Sequence, residues 1–341
     1  MKLLTIAVPC YNSAAYMSRC IDSLLPGGEE VEILVIDDGS KDDTLKVAQE
    51  YEAKYPGIVK AIHQENKGHG GAVNTGIENA SGLFFKVCDS DDWFKQEAYL
   101  KVLEVLAEMV KSQSRLDMLI ANYVYEKEGE KHKKVMHQRR TLPQNEIFKW
   151  EDCGHFKKGH YILMHSVIFR TRVLLESGLK LPEHTFYVDN LYVFEPLPFV
   201  KYMYYMDVNL YRYYIGRSDQ SVNEEVMMGR VDQQLRVKYR MIDYLKSVKP
   251  EVQKQKRLYQ YMRNYLEIIT AISSILLIRI NTKDSLKQKK ELWKYIKKSD
   301  SKLWGYMRAG LLGNGTNLPG KGGRKLTVAA YHIAQKVFGF N

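Results

Sequence analysis

Four short, almost purely apolar runs, at residues 3–8, 31–36, 58–62 and 83–88, do most to limit how this 341-residue chain can fold. Runs of this kind, without polar alternation, mark strands buried on both faces. Helical spacing separates them. Residues 14–25 place Met17, Ile21, Leu24 and Leu25 on one face before Pro26-Gly27-Gly28 ends the helix, and residues 42–55 and 71–80 are the next helical stretches. Asp42 and Asp43 lie at the start of the second, where the helix dipole favours negative charge. Strand and helix in alternation predict βαβ units and an α/β fold with a mainly parallel, Rossmann-like sheet flanked by helices.

Ligands of such sheets bind at the carboxyl ends of the strands. A polar cluster follows each run: Pro9-Cys10-Tyr11-Asn12, Asp37-Asp38-Gly39-Ser40, Asn66-Lys67-Gly68-His69-Gly70-Gly71 and Asp89-Ser90-Asp91-Asp92. Four polar loops on one edge predict one site. The last cluster puts three carboxylates in four residues, which is costly unless a positive charge is present, because like charges raise each other's pKa. Hard oxygen ligands suit Mg²⁺ or Mn²⁺. A solvated turn leading into a helix N-cap accounts for the same residues.

The balance of 51 Lys and Arg against 40 Asp and Glu is unevenly spread. Residues 226–341 carry 24 basic and 7 acidic side chains, whereas residues 1–225 carry 27 and 33. This predicts an acidic, metal-using front and a basic rear drawn to polyanions: anionic lipid, a charged acceptor or a partner protein. The cysteines, Cys10, Cys20, Cys88 and Cys153, form no CxxC pair, so neither a zinc site nor a disulfide framework is indicated. The opening apolar run is too short for a signal peptide, and a cytoplasmic location is the default expectation.

Further along, residues 122–160 read as a polar, Lys-rich and largely structureless excursion over the sheet edge. Hydrophobic pattern returns at 162–169 and 192–205. From about residue 225 the pattern is helical, predicting a separate basic helical module over 225–341 behind a domain of residues 1–224. That domain divides into a nucleotide-binding half, 1–120, and an acceptor-side half, 121–224. The apolar stretch 266–278 is shorter than the ~20 residues that span a bilayer and reads as a buried helix. Six glycines and Pro319 between 310 and 323 predict a flexible loop.

The segments Thr5-Ile6-Ala7-Val8-Pro9-Cys10-Tyr11-Asn12, Ile36-Asp37-Asp38-Gly39-Ser40-Lys41-Asp42, Asn66-Lys67-Gly68 through Asn74-Thr75-Gly76, and Asp89-Ser90-Asp91-Asp92-Trp93 resemble, in order and spacing, glycosyltransferase family 2. A weaker match runs through Val188-Asp189-Asn190, Tyr211-Arg212-Tyr213-Tyr214 and Gln220-Ser221-Val222. The resemblance covers about two thirds of the chain and leaves out the helical tail. It implies the GT-A fold and inverting, metal-dependent transfer of a sugar from a UDP-sugar to a hydroxyl of a glycan or glycoconjugate.

The family's pattern implies roles for particular residues. Asp38 accepts a hydrogen bond from the uracil imide, and Asp37 serves the turn. Pro9 and Tyr11 offer surface to the base, with Asn12 beside them. Lys67 reaches the base or a phosphate, and Asn74 and Ser90 complete the nucleotide-sugar contacts. Asp91 matches the metal-binding carboxylate and Asp89 the one facing ribose and donor sugar, the pair holding Mn²⁺ or Mg²⁺. Asp92 reads as a helix cap, and Trp93 lines the sugar pocket or packs in the core. Where the family usually presents Glu-Asp, this chain has Val188-Asp189, so Asp189 takes the place of the general base; an N-cap explains it equally on spacing. His165, His184 and Arg217 are candidates for a third metal ligand or a phosphate contact. The tyrosines between 187 and 214 read mostly as packing.

Two other classes fit parts of the chain. A nucleotidyltransferase would use the same sheet edge and metal, but a Gly- and Arg-rich loop after the first strand is missing. A non-enzymatic nucleic-acid binder would use the basic tail, but those charges alternate with apolar residues as on packed helices, so no nucleic-acid partner is expected. Residues 324–338, with Val328, Tyr331, Ile333, Ala334 and Val337 among Lys325 and Lys336, predict a peripheral contact with the inner face of a membrane or a homo-oligomer contact.

Overall fold

The computed structural model describes residues 2–127, 129, 133–156, 161–215 and 223–338. It divides into two compact units, one of Met1–His155 with Ile162–Gly216, the other of Phe156–Tyr161 with Arg217–Asn341.

The first unit is built on one mixed sheet. Its strands are β1 (Leu4–Cys10), β2 (Val31–Asp38), β3 (Val59–Gln64), β4 (Phe84–Val87), β5 (Trp93–Phe94), β6 (Met118–Lys127), β7 (Val135–Met136), β8 (Ile147–Phe148), β9 (Val167–Arg170) and β10 (Met203–Ile215). The order is β3-β2-β1-β4-β9-β6-β10-β5, with β7 on β6 and β8 on β10. Strands β3, β2, β1 and β4 are mutually parallel, in the register Leu4↔Val31 and Leu4↔Phe84. All seven residues of β1 are buried, as expected for a strand covered on both faces, whereas the edge strand β3 has exposed positions. The helices are α1 (Met17–Leu24), α2 (Thr44–Lys54), α3 (Gly68–Asn79), α4 (Gln96–Lys111), α5 (Thr171–Glu176) and α6 (Asp189–Phe194). Buried residues of β1, β2, α1 and α4 share one apolar core.

The chain runs from β1 outward to β2 and β3, then returns to place β4 on the other flank of β1. That reversal leaves a crevice beyond the carboxyl ends of β1 and β4, where doubly wound sheets bind their ligands.

Residues 122–160 depart from the expected excursion. Their first part is the end of β6, a ten-residue strand paired in parallel with β10. Its polar residues are tolerated because β10 satisfies them: the Asn122 amide donates to Asp207 Oδ1 at 2.8 Å, and Arg212 donates to Glu126 Oε1 at 2.8 Å.

The second unit is helical: α7 (Glu224–Gly229), α8 (Val231–Val252), α9 (Lys256–Ile280), α10 (Lys283–Ser299), α11 (Ser301–Ala309), α12 (Leu311–Thr316) and α13 (Gly320–Phe338). The apolar stretch 266–278 lies inside α9 and is largely buried. No described helix is long and apolar enough to cross a membrane. The glycine-rich stretch 310–323 is mostly helical instead of the expected loop. Gly313 explains part of this: a Cβ there would sit 1.9 Å from the Met307 carbonyl oxygen, so only glycine allows α12 to turn back so closely.

Candidate active site

The four polar loops meet at one edge. Asn12, in the left-handed region at φ 50°, accepts from Lys41 N–H through Oδ1 at 2.8 Å, and its own N–H donates to Ser40 Oγ at 2.9 Å, tying the loops after β1 and β2. Ser13 and Ser90 share a buried hydroxyl contact of 2.9 Å across the crevice between β1 and β4. Asp38 Oδ1 accepts from Lys67 N–H at 2.8 Å and from Gln64 Nε2 at 2.7 Å, while Asp37 closes its turn on Ser40 N–H and pairs with His63.

Several expected contacts have other work. Pro9 is buried within β1, so of the two rings meant for a base only Tyr11, 49% exposed, is presented to solvent. Both amide atoms of Asn74 bond the backbone of Leu181 at 2.9 Å, making it a brace. Asn12 and Ser90 hold loops together, as above. Trp93 has the Arg19 guanidinium over its ring at 3.1 Å. The Lys67 side chain is exposed.

Asp92 is not a helix cap, because α4 begins beyond Lys95. It is buried; its Oδ1 accepts from Tyr214 N–H at 2.7 Å and its Oδ2 from the Tyr211 hydroxyl at 2.6 Å. Tyr211 Oη also accepts from Asp89 N–H at 3.1 Å, so one β10 tyrosine sets the shape of the acidic turn. Ligating atoms of Asp89, Asp92 and His165 all lie within 4.8 Å of one another. The expected carboxylate pair was Asp89 with Asp91; the structure places Asp92 and His165 beside Asp89, with Asp91 half-buried on the same turn.

His165 is buried, stacks on Tyr213 at 4.3 Å, and has an Nδ1 without a hydrogen-bond partner among the described residues. Burial pushes its pKa down to about 4, so the ring is neutral and its nitrogen can act as a ligand. Asp89, Asp92 and the neutral imidazole are donors of the kind a divalent cation takes, though burial and the Asp91 and Asp89 charges raise the Asp92 pKa and both its oxygens already accept hydrogen bonds.

Sequence reasoning passed over His69 and Lys86. His69 Nε2 lies 2.9 Å from Asp89 Oδ1. Burial opposes its protonation, but the hydrogen bond to Asp89 and the charges of Asp89, Asp189 and Asp38 outweigh that and raise its pKa. Burial raises Asp89, but the hydrogen bond and charge of His69, with the Lys86 charge, hold it below the usual carboxylate range. Lys86 is fully buried inside β4 and donates to the carbonyls of His165 at 2.9 Å and Val167 at 3.1 Å; burial lowers its pKa to about 7. Both residues left a trace: a histidine among glycines at a strand end, and one lysine in an apolar run.

Asp189 is the first residue of α6, one past its N-cap Val188, and its Oδ1 accepts from the Asn190 side-chain amide at 3.2 Å. Burial, strengthened by the Asp89 charge and opposed by His69, raises its pKa to about 6. The loop leading to it docks on α3: His184 N–H donates to Lys67 O at 2.8 Å, and a Cβ on Gly68, at φ 73°, would lie 3.0 Å from His184 N. Two non-glycine residues of this loop, His184 and Tyr187, adopt positive φ of 47° and 67°, local strain of the kind found at functional sites. His184 thus positions a loop. Arg217 and Gln220-Ser221-Val222 lie outside the described residues.

Residues 5–172 match the family model described as Glycosyl transferase family 2. These residues belong to glycosyl transferase family 2. Curated relatives include chondroitin synthase of Escherichia coli, 39% identical over 99 residues, which cover 29% of this chain and 14% of that protein. An uncharacterized glycosyltransferase of Bacillus subtilis, EpsJ, is 26% identical over 248 residues, 70% of this chain and 68% of that protein. The chain spans between about a seventh and two fifths of the first four curated relatives it matches. Among solved structures, S. aureus TarS 1-349 in complex with UDP-GlcNAc superposes with a TM-score of 0.65 at 20% identity, covering 98% of this chain and 92% of that one. The sheet with its flanking helices therefore has the GT-A fold expected from the motifs.

Proposed function

We propose that this chain is an inverting, metal-dependent glycosyltransferase that moves a sugar from a UDP-sugar to a hydroxyl of a glycan or glycoconjugate. The observation that carries the reading is the placement of Asp189, a half-buried carboxylate at the head of α6 that feels the charges of Asp89 and His69 of the acidic turn and glycine loop.

In this reading Asp38, pinned by Lys67 N–H and Gln64, receives the uracil imide, and the exposed ring of Tyr11 covers the base. The UDP-GlcNAc complex of TarS supports a uridine nucleotide as donor, on a shared fold. Asp89, Asp92 and His165 would hold the divalent cation, with Asp91 beside them; when bound, it neutralises charge on the departing diphosphate. Asp189 takes the proton of the acceptor hydroxyl as that oxygen bonds to the anomeric carbon from the face opposite UDP. The bond between that carbon and the diphosphate oxygen breaks, and UDP leaves with the electron pair.

Asp189→Asn tests the reading. We expect transfer to fall about 10²–10⁴-fold, the usual worth of a general base, with UDP binding by calorimetry unchanged. Transfer at the parent rate would assign the base elsewhere.

A further inference from the structure

The last part of the second unit is charged in one sense only. Residues 301–341 contain six Lys or Arg and no Asp or Glu. Most of this stretch is α13, whose two faces differ. Thr327 is buried and donates to the Gly315 carbonyl at 2.6 Å, and Tyr331 lies under the Arg279 guanidinium at 5.8 Å, so this face packs on its own unit. The opposite face carries Leu326, Ala329, Ala330 and Ile333, at i, i+3, i+4 and i+7, all exposed. Leu326 is 60% and Ile333 64% exposed. Lys321 and Lys325 are also exposed and, at helical spacing, border this stripe on one side.

An apolar stripe edged by cations, on a helix too polar to span a bilayer, is the pattern of a helix lying in a membrane interface. The charge decides among occupants. A second copy would bring another helix with no carboxylate against these lysines, and the two would repel; a nucleic acid would satisfy the lysines but leave Leu326 and Ile333 against phosphate. An anionic lipid surface satisfies both.

We propose that α13 is a membrane-docking helix that seats Leu326, Ala329, Ala330 and Ile333 among the acyl chains of an anionic bilayer, with Lys321 and Lys325 on the lipid phosphates. This does not rest on the reaction proposed above.

Flotation of the full chain with vesicles tests it. The chain is expected to float with phosphatidylglycerol–phosphatidylcholine vesicles, to stay behind with phosphatidylcholine alone, and to be released by salt. Leu326→Gln with Ile333→Gln removes exposed apolar surface while keeping good helix formers, so circular dichroism should be unchanged and partition should drop about tenfold or more. Lys321→Gln with Lys325→Gln should drop it roughly fivefold per charge. Parent-level flotation of the leucine–isoleucine variant, equal binding to neutral vesicles, or no binding to anionic ones would overturn the proposal. So would a dimer in sedimentation that dissociates in the leucine–isoleucine variant while flotation persists.

Discussion

Asp189 is held where a carboxylate is costly to charge, and this has a kinetic signature. With its pKa raised to about 6, the proposed base is deprotonated at neutral pH and becomes protonated as the pH falls below that value. The acidic limb of the kcat/KM profile should therefore bend near pH 6 and fall about tenfold per unit below it; a limb bending near 4 would show a carboxylate in an ordinary setting. Asn74 makes the opposite kind of prediction. Because its amide spends both atoms on Leu181, Asn74→Ala should cost about 1–3 kcal/mol by leaving buried backbone groups unsatisfied, measured by urea unfolding. Donor KM should then move only as far as the loop before Asp189 loosens. At this scale residue types were legible in the sequence and partners were not. The DSDD carboxylates announce a charged site, but the setting of Asp92 depends on a hydroxyl and an N–H group arriving from β10, more than a hundred residues later.

Elements were most legible where burial alone defines them. The four parallel strands stand where the apolar runs are, because a strand covered on both faces must be apolar throughout. Legibility failed where polar side chains are paid in kind: β6 carries Asn122 and Glu126 into the sheet because Asp207 and Arg212 meet them. It failed again at α12 and α13, where Gly313 and Gly323 mark close approaches of the backbone and not a loop. In the helical unit, Asp300 caps α11 by accepting from the N–H groups of Lys302 and Leu303, and its carboxylate also pairs with Lys249. Burial raises its pKa, but the hydrogen bond to Lys249 with the two cap bonds outweighs this and holds it below the usual range. A depressed carboxyl stabilises the fold above its unfolded pKa and loses that contribution as the pH falls through the folded value. Asp300→Ala should thus cost about 1–2 kcal/mol at neutral pH and flatten the loss of stability below pH ~4; an unchanged acid transition would remove the cap and the pair from the stability of this unit.

On the scale of the whole molecule, the donor set of Asp89, Asp92 and His165 predicts a linkage between ions and stability. Mn²⁺ added at about a hundred times its dissociation constant should stabilise the protein by ~2.7 kcal/mol, seen as a rise in melting temperature that EDTA reverses and Asp89→Asn abolishes. No response in the parent chain would remove the cation from this corner. By itself the sequence determined the parallel four-strand half of the sheet, the edge on which polar loops gather, and the change from an acidic front to a basic helical rear. Local spacing and net burial decide such features, and both can be read along the chain. Only the tertiary structure decided that β10 shapes the acidic turn, that His69 bonds to Asp89, and which face of α13 is left bare. Those outcomes follow from groups distant in sequence meeting in space, where a buried charge or hydrogen-bonding group must find its partner wherever the fold delivers one.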